Sequence, residues 1–180
     1  MHQFSDPYFK FSVGIPDSWS LLPSAWSPVE QMKKALEPEH LIQFASKPFC
    51  VAMGNHQSDR HAYPTLQVTA RPFPLPSNDQ QAEILQDQIR ILAEHYPGFI
   101  TDWSSHEAII GGHRANIIRG SFFMRTMPAK RIIKIGVISR THVIFARNHA
   151  FTVALSGSND STYYSEDDFT KVIQSVRIGA

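Results

Sequence analysis

Three tight turns constrain this chain more than any other feature. Gly111-Gly112, Met127-Pro128-Ala129 and Arg147-Asn148-His149 separate four runs of strand-type sequence, 99–110, 113–127, 131–146 and 150–156. Strands joined so closely pair antiparallel, because a parallel crossover needs a dozen or more residues. Paired glycines are the chemistry that a two-residue hairpin favours. In the third run Ile133, Ile135 and Val137 share one face. The second half of the chain therefore reads as an antiparallel meander.

The first half adds shorter strands. Phe9, Phe11, Val13 and Ile15 alternate with Lys10, Ser12 and Gly14, which predicts a half-buried strand. Pro16 stops it, Asp17-Ser18 turns the chain, and Trp19 is a candidate core anchor. Phe49, Val51 and Met53 predict a second strand, with Cys50 and Ala52 on its other face. Leu66, Val68 and Ala70 predict a third, closed by the proline-rich run 72–76.

Helices fall between the strands. Ser27-Pro28-Val29-Glu30 has a Ser cap, Pro at the first position and acid in the first turn. It predicts a short helix over 29–36, with a second over 40–45. The strongest helix starts at Ser77, Asn78 or Asp79. Its stripe is Ala82, Leu85, Ile89, Leu92, Ala93 and Tyr96, and Pro97-Gly98 ends it. Ser165 caps the last helix, which buries Phe169, Val172, Ile173 and Val176. There is no βαβ alternation. The expected fold is α+β, one domain over 1–180 with an antiparallel sheet of about six strands and packed helices. Residues 24–64 read as a loop-and-helix insertion.

Composition removes several classes. With 42% hydrophobic and 11% aromatic residues, 180 residues can bury a real core. No uncharged apolar stretch approaches the roughly 18 residues of a membrane span. One cysteine, Cys50, excludes an internal disulfide framework and a multi-thiolate metal site. The opening Met1-His2-Gln3-Phe4-Ser5-Asp6 lacks a basic start followed by an apolar run, so the expected compartment is the cytoplasm.

Asp6-Pro7-Tyr8-Phe9-Lys10-Phe11, running on to Ile15-Pro16 and Trp19, resembles the opening of PsbP-like domains. The end resembles them too: a hairpin, the run 150–157, a loop ending in Tyr163-Tyr164, and a short helix with Ser175 near its close. The superfamily includes PsbP, a nuclear Ran-binding relative, the periplasmic DcrB type and EagR-type chaperones. The resemblance implies a PsbP-like fold and a non-enzymatic protein-binding or accessory function, such as a bacterial secretion-associated adaptor or chaperone. It implies no cofactor. It rests on core and turn residues, and one fold hosts many functions.

The residues themselves support little catalysis. There is no G-x-S-x-G elbow and no phosphate-cradling glycine loop. Cys50 lies in an apolar strand and reads as an inert core thiol. Glu166-Asp167-Asp168 suits the positive end of the last helix. His56, Asp59 and His61 share one polar loop and carry zinc-type donors, so a small metal-dependent enzyme is the alternative reading.

Charge is distributed unevenly. From 108 to 159 there is no Asp or Glu, whereas Arg114, Arg119, Arg125, Lys130, Arg131, Lys134, Arg140 and Arg147 fall in that stretch. The rest of the chain carries 9 basic and 16 acidic residues. Internal complementarity accounts for this, and so does a basic face for an acidic or helical protein partner. The candidate partner-binding residues are Arg119, Phe123, Arg125, Lys130, Lys134 and Arg140. Whether they share a side depends on strand register. An anionic ligand or nucleic acid on strands 113–147 is a further alternative, weakened by a pI of only about 8.0. Trp26, Phe73, Leu75 and Phe99 sit beside prolines or at element ends, where they either cap the core or line an apolar groove. A homodimer through edge strands is also open.

Overall fold

The computed structural model describes residues 1–22, 48–55, 61–96, 98–126, 133–163 and 166–179, with the backbone alone for Arg125, Thr126, Ile133 and Ser161. Among these residues the order is β1 (His2–Asp6), β2 (Phe11–Ile15), β3 (Trp19–Leu21), β4 (Cys50–Gly54), β5 (Thr65–Pro72) and α1 (Asn78–His95). There follow β6 (Ile100–Ile110), β7 (His113–Thr126), β8 (Ile133–Ala146), β9 (His149–Ser158), α2 (Glu166–Ser175) and β10 (Arg177–Ile178).

The predicted meander forms, and its turns show why. Gly111 and Gly112 have φ of 58° and 83°. Arg147 and Asn148 take φ of 51° and 56°. Two consecutive left-handed residues make the turn that matches the natural twist of a hairpin. At Gly111 a Cβ would also meet the Val176 carbonyl oxygen at 2.9 Å. The turn at 127–129 lies outside the described residues.

The strands assemble into a seven-stranded sheet, β3-β4-β5-β9-β8-β7-β6, and a three-stranded sheet, β1-β2-β10. Every pairing is antiparallel. The fold class is thus α+β with antiparallel sheet, but in two sheets and with more strands than about six. β1 went unread because its side chains are mostly exposed and polar. The first strand begins at Phe11, not Phe9. Phe9 is buried from the turn, where its N–H donates to the Asp6 carboxylate at 2.9 Å. Trp19 is a core anchor as expected, and it opens a strand of its own.

One face of the large sheet carries the main core. Ala52, Leu66, Val68, Phe151, Val153, Leu155, Ile144 and Ala115 pack against Phe11, Val13 and Ile15 of β2, Phe169 and Val172 of α2, and Val176 just past the end of α2. Each large side chain removed from water there contributes about 1.5–3 kcal/mol. We call this the α2 face. On the opposite α1 face, Val143, Phe145 and Ala150 pack with Phe73 and Ile84. Phe122, Ile135 and Val137 form a separate small core with Ala62 and Phe99.

Of the three candidate caps for helix α1, Ser77 is the N-cap, and Gln80 reciprocates to complete a capping box that the sequence reading did not name. Its buried stripe is shifted from the predicted one. Gln81 and Leu85 are buried, whereas Ala93 and Tyr96 are exposed. Gln81 is tolerated inside because its Nε2 donates to the His106 carbonyl at 2.6 Å. The helices expected over 29–36 and 40–45 lie outside the described residues, as do Trp26 and most of the 24–64 segment.

Candidate protein-binding face

Register decides which side each basic residue occupies. Arg119 pairs with Arg140, Phe123 with Gly136, and Arg125 with Lys134. Residues directly opposite in an antiparallel pair point to the same side. These positions therefore share one face, and Ala115↔Ile144 in the same register identifies it as the α2 face. Trp103 pairs with Arg119, and Ile100 with Ser121, so both join them from β6.

This half of the face is open. Ile100 is 62% exposed, Trp103 47% and Phe123 46%. The Arg119 guanidinium lies over the Trp103 ring at 5.1 Å, and Lys134 Nζ lies over the Phe123 ring at 3.8 Å. Each exposed aromatic thus carries its own cation. Such contacts are worth about 0.5–1 kcal/mol at exposed sites. They orient the cations without neutralising them. Arg119 and Lys134 have no carboxylate partner among the described residues.

Arg140 differs. It is largely covered, and its guanidinium meets the Glu166 carboxylate at 3.1 Å and 3.3 Å. Internal complementarity therefore accounts for this one cation, while Arg119 and Lys134 remain available. Arg125 contributes its position alone, and Lys130 lies outside the described residues.

Beneath the cations sits His142, which sequence reading did not single out. It is buried on the same face, opposite Ile117 and Val153. Its Nδ1 has no hydrogen-bond partner. Burial, with lesser repulsion from Arg119 and Arg140, pulls the imidazole down to about 4, so it is neutral at pH 7. Period-two alternation from Ile144 back to Arg140 was the available signal.

The remaining candidates separate. His61 lies 3.4 Å from the Asp160 carboxylate and stacks on Tyr163 at 3.9 Å. His56 and Asp59 lie outside the described residues, and no metal-type cluster of three donors occurs among the described ones. Cys50 is 1% exposed, and burial pushes its thiol up to about 12, which leaves no thiolate for chemistry at neutral pH. Phe73 packs on Phe145 and Phe99 on Phe122, so both cap cores. Leu75 is exposed instead. No described helix is long and apolar enough to cross a membrane.

No protein-family model matches this sequence, and no curated protein matches it. Solved structures do match in shape. LpqN of Mycobacterium tuberculosis, described as involved in cell envelope biogenesis, is similar over 95% of this chain and 84% of its own, with a TM-score of 0.54 and 18% identity. Cyanobacterial PsbP (CyanoP) from Synechocystis sp. PCC 6803 is similar over 99% of this chain and 92% of its own, with a TM-score of 0.60 and 12% identity. The PsbP-like fold implied by the chain's two ends is thereby supported along nearly the whole length.

Proposed function

We propose that this protein is a non-enzymatic accessory module that holds an acidic protein partner on the open half of its α2 face. One observation carries the reading. Two exposed aromatic–cation pairs, Trp103–Arg119 and Phe123–Lys134, stand side by side on a sheet face without carboxylates to neutralise them among the described residues. Exposed aromatics and arginines are the side chains that anchor protein interfaces. The acid-free stretch from 108 to 159 supplies the field that would steer an acidic surface to them.

The fold relatives agree with an accessory role, and LpqN's part in cell envelope biogenesis suits an envelope- or secretion-associated setting. The test is a paired capture from cell extract at low and high salt, using the native chain and the double variant Arg119→Glu/Lys134→Glu. A protein held by the native chain, weakened by salt and lost by the variant supports the reading. Equal retention by both chains overturns it.

A further inference from the structure

A second site lies on the opposite, α1 face, and it does not depend on the reading just given. Helix α1 rests over β6 and β7. Between one flank of that helix and the sheet opens a cavity of about 270 Å³. Ligand cavities usually span about 300–1,000 Å³, so this one suits a single small molecule.

Strand register sorts the cavity wall into two ends. Thr69 of β5 pairs with Thr152 of β9, and Arg71 lies two residues further along β5. Alternation puts all three on the α1 face, so this end carries two hydroxyls and a guanidinium. Arg71 is exposed and lies over the Phe73 ring at 5.4 Å. It has no carboxylate partner, and it is the one cation lining the cavity, among the described residues. The other end is mostly aliphatic. Val143 of β8 and Ile118 of β7 are buried there, and Ile91 and Leu92 of α1 complete the wall. Thr141 adds one hydroxyl, and the Gln88 amide is engaged by Asn116 Nδ2 at 3.0 Å.

A wall divided in this way matches a molecule with the same division. A phosphate or nucleotide is the poorer fit, since a lone guanidinium serves it and the aliphatic end offers it no hydrogen bond. A neutral hydrocarbon leaves Arg71 and the two hydroxyls unmatched. A two-chain lipid needs more room than the cavity has.

We infer that this cavity binds a single-chain carboxylic acid of medium length, a free fatty acid. Its carboxylate meets Arg71 and the hydroxyls of Thr69 and Thr152. Its chain lies against Ile91, Leu92, Ile118 and Val143, where burial of apolar surface supplies the affinity.

Three probes of equal chain length test this with the full chain: decanoate, decanol and decyltrimethylammonium, each kept below its micelle-forming concentration. Calorimetry gives affinity, and amide shifts of the isotope-labelled protein give the place. The expected result is that decanoate binds about tenfold tighter than either of the others, with shifts at Thr69, Leu92 and Val143. Arg71→Gln should weaken decanoate about tenfold and leave decanol unchanged. Ile91→Gln should weaken decanoate and decanol alike. Both positions are exposed, so neither change threatens the fold.

Equal binding of the three probes overturns the inference, because the polar end then selects nothing. Decanoate binding that survives Arg71→Gln or Ile91→Gln unchanged overturns it too, as do shifts confined to the α2 face around Phe123. Absence of decanoate binding overturns it outright. The paired capture tests the α2 face alone and is decided separately.

Discussion

At one end of the β7–β8 hairpin, Ala115 and Ile144 are shut from water beneath β2 and α2. At the other end, on the same face, Arg119, Phe123 and Lys134 stand in solvent. The backbone ladder runs unbroken through both, from Ala115↔Ile144 to Thr126↔Ile133. The difference shows what holds the far end in place. On its opposite side Phe122, Ile135 and Val137 are buried and packed beside Phe99, although Met124 on that side is exposed. The strands are anchored from the α1 side, so the α2 side needs no cover and is free to carry cations and aromatics.

That contrast can be broken at its strong end first. Phe151 stacks on Phe11 at 5.7 Å in the main core, and Phe151→Ala should cost about 4 kcal/mol in denaturant unfolding. The neighbouring pair Phe122 and Phe123 then separates the two sides of the far end. Phe122→Ala should cost about 3 kcal/mol and loosen hydrogen exchange in β7, because it empties the small core. Phe123→Ala should cost under about 1 kcal/mol, the scale of an exposed cation–π contact. Equal costs would mean that the open face is covered in solution.

His142 marks the border between the covered and open halves and gives a pH test. Its folded value of about 4 lies below the ordinary value of 6.5. As pH falls from 6.5 toward 4, the unfolded chain takes up a proton that the folded chain refuses. Stability is therefore greatest above pH 6.5 and declines with acid. Between pH 7 and pH 5 the loss from this group should be about 2 kcal/mol. His142→Leu should remove that component of the slope in denaturant curves taken at both values. An unchanged slope would place the acid sensitivity elsewhere.

The smallest effect belongs to the open face itself. Arg119→Gln/Lys134→Gln should change stability by less than about 1 kcal/mol, since neither side chain is buried. A larger loss by thermal unfolding would make these cations part of the scaffold rather than of a binding surface.

Much of this was legible in the residues. Pro16, the glycine pair and the alternation of Leu66, Val68 and Ala70 marked strands and turns that the structure confirms. Ser77 at α1 and the first-turn acids of α2 marked helix starts, while Ser165 lies outside the described residues. Other elements left no such mark. β1 and β10 are short and need β2 between them to exist as strands at all. The β6 irregularities came from no pattern in Ser105, His106 and Glu107. Gln81 is polar yet buried, because its acceptor, the His106 carbonyl, lies on another element.

The basic residues divide the same way. Local sequence determined that Arg119 and Arg125 share a side of one strand, and that Lys134 and Arg140 share a side of the next, because side chains alternate along any strand. Only tertiary pairing decided that the two sets coincide, that Trp103 joins them, and that Glu166 takes Arg140 out of play. A one-residue slip between β7 and β8 would have put them on opposite faces while leaving every alternation intact. The register is set by burial at Ile144 and Ile118 on the two sides of the hairpin, and that burial exists only once both layers have packed against the sheet.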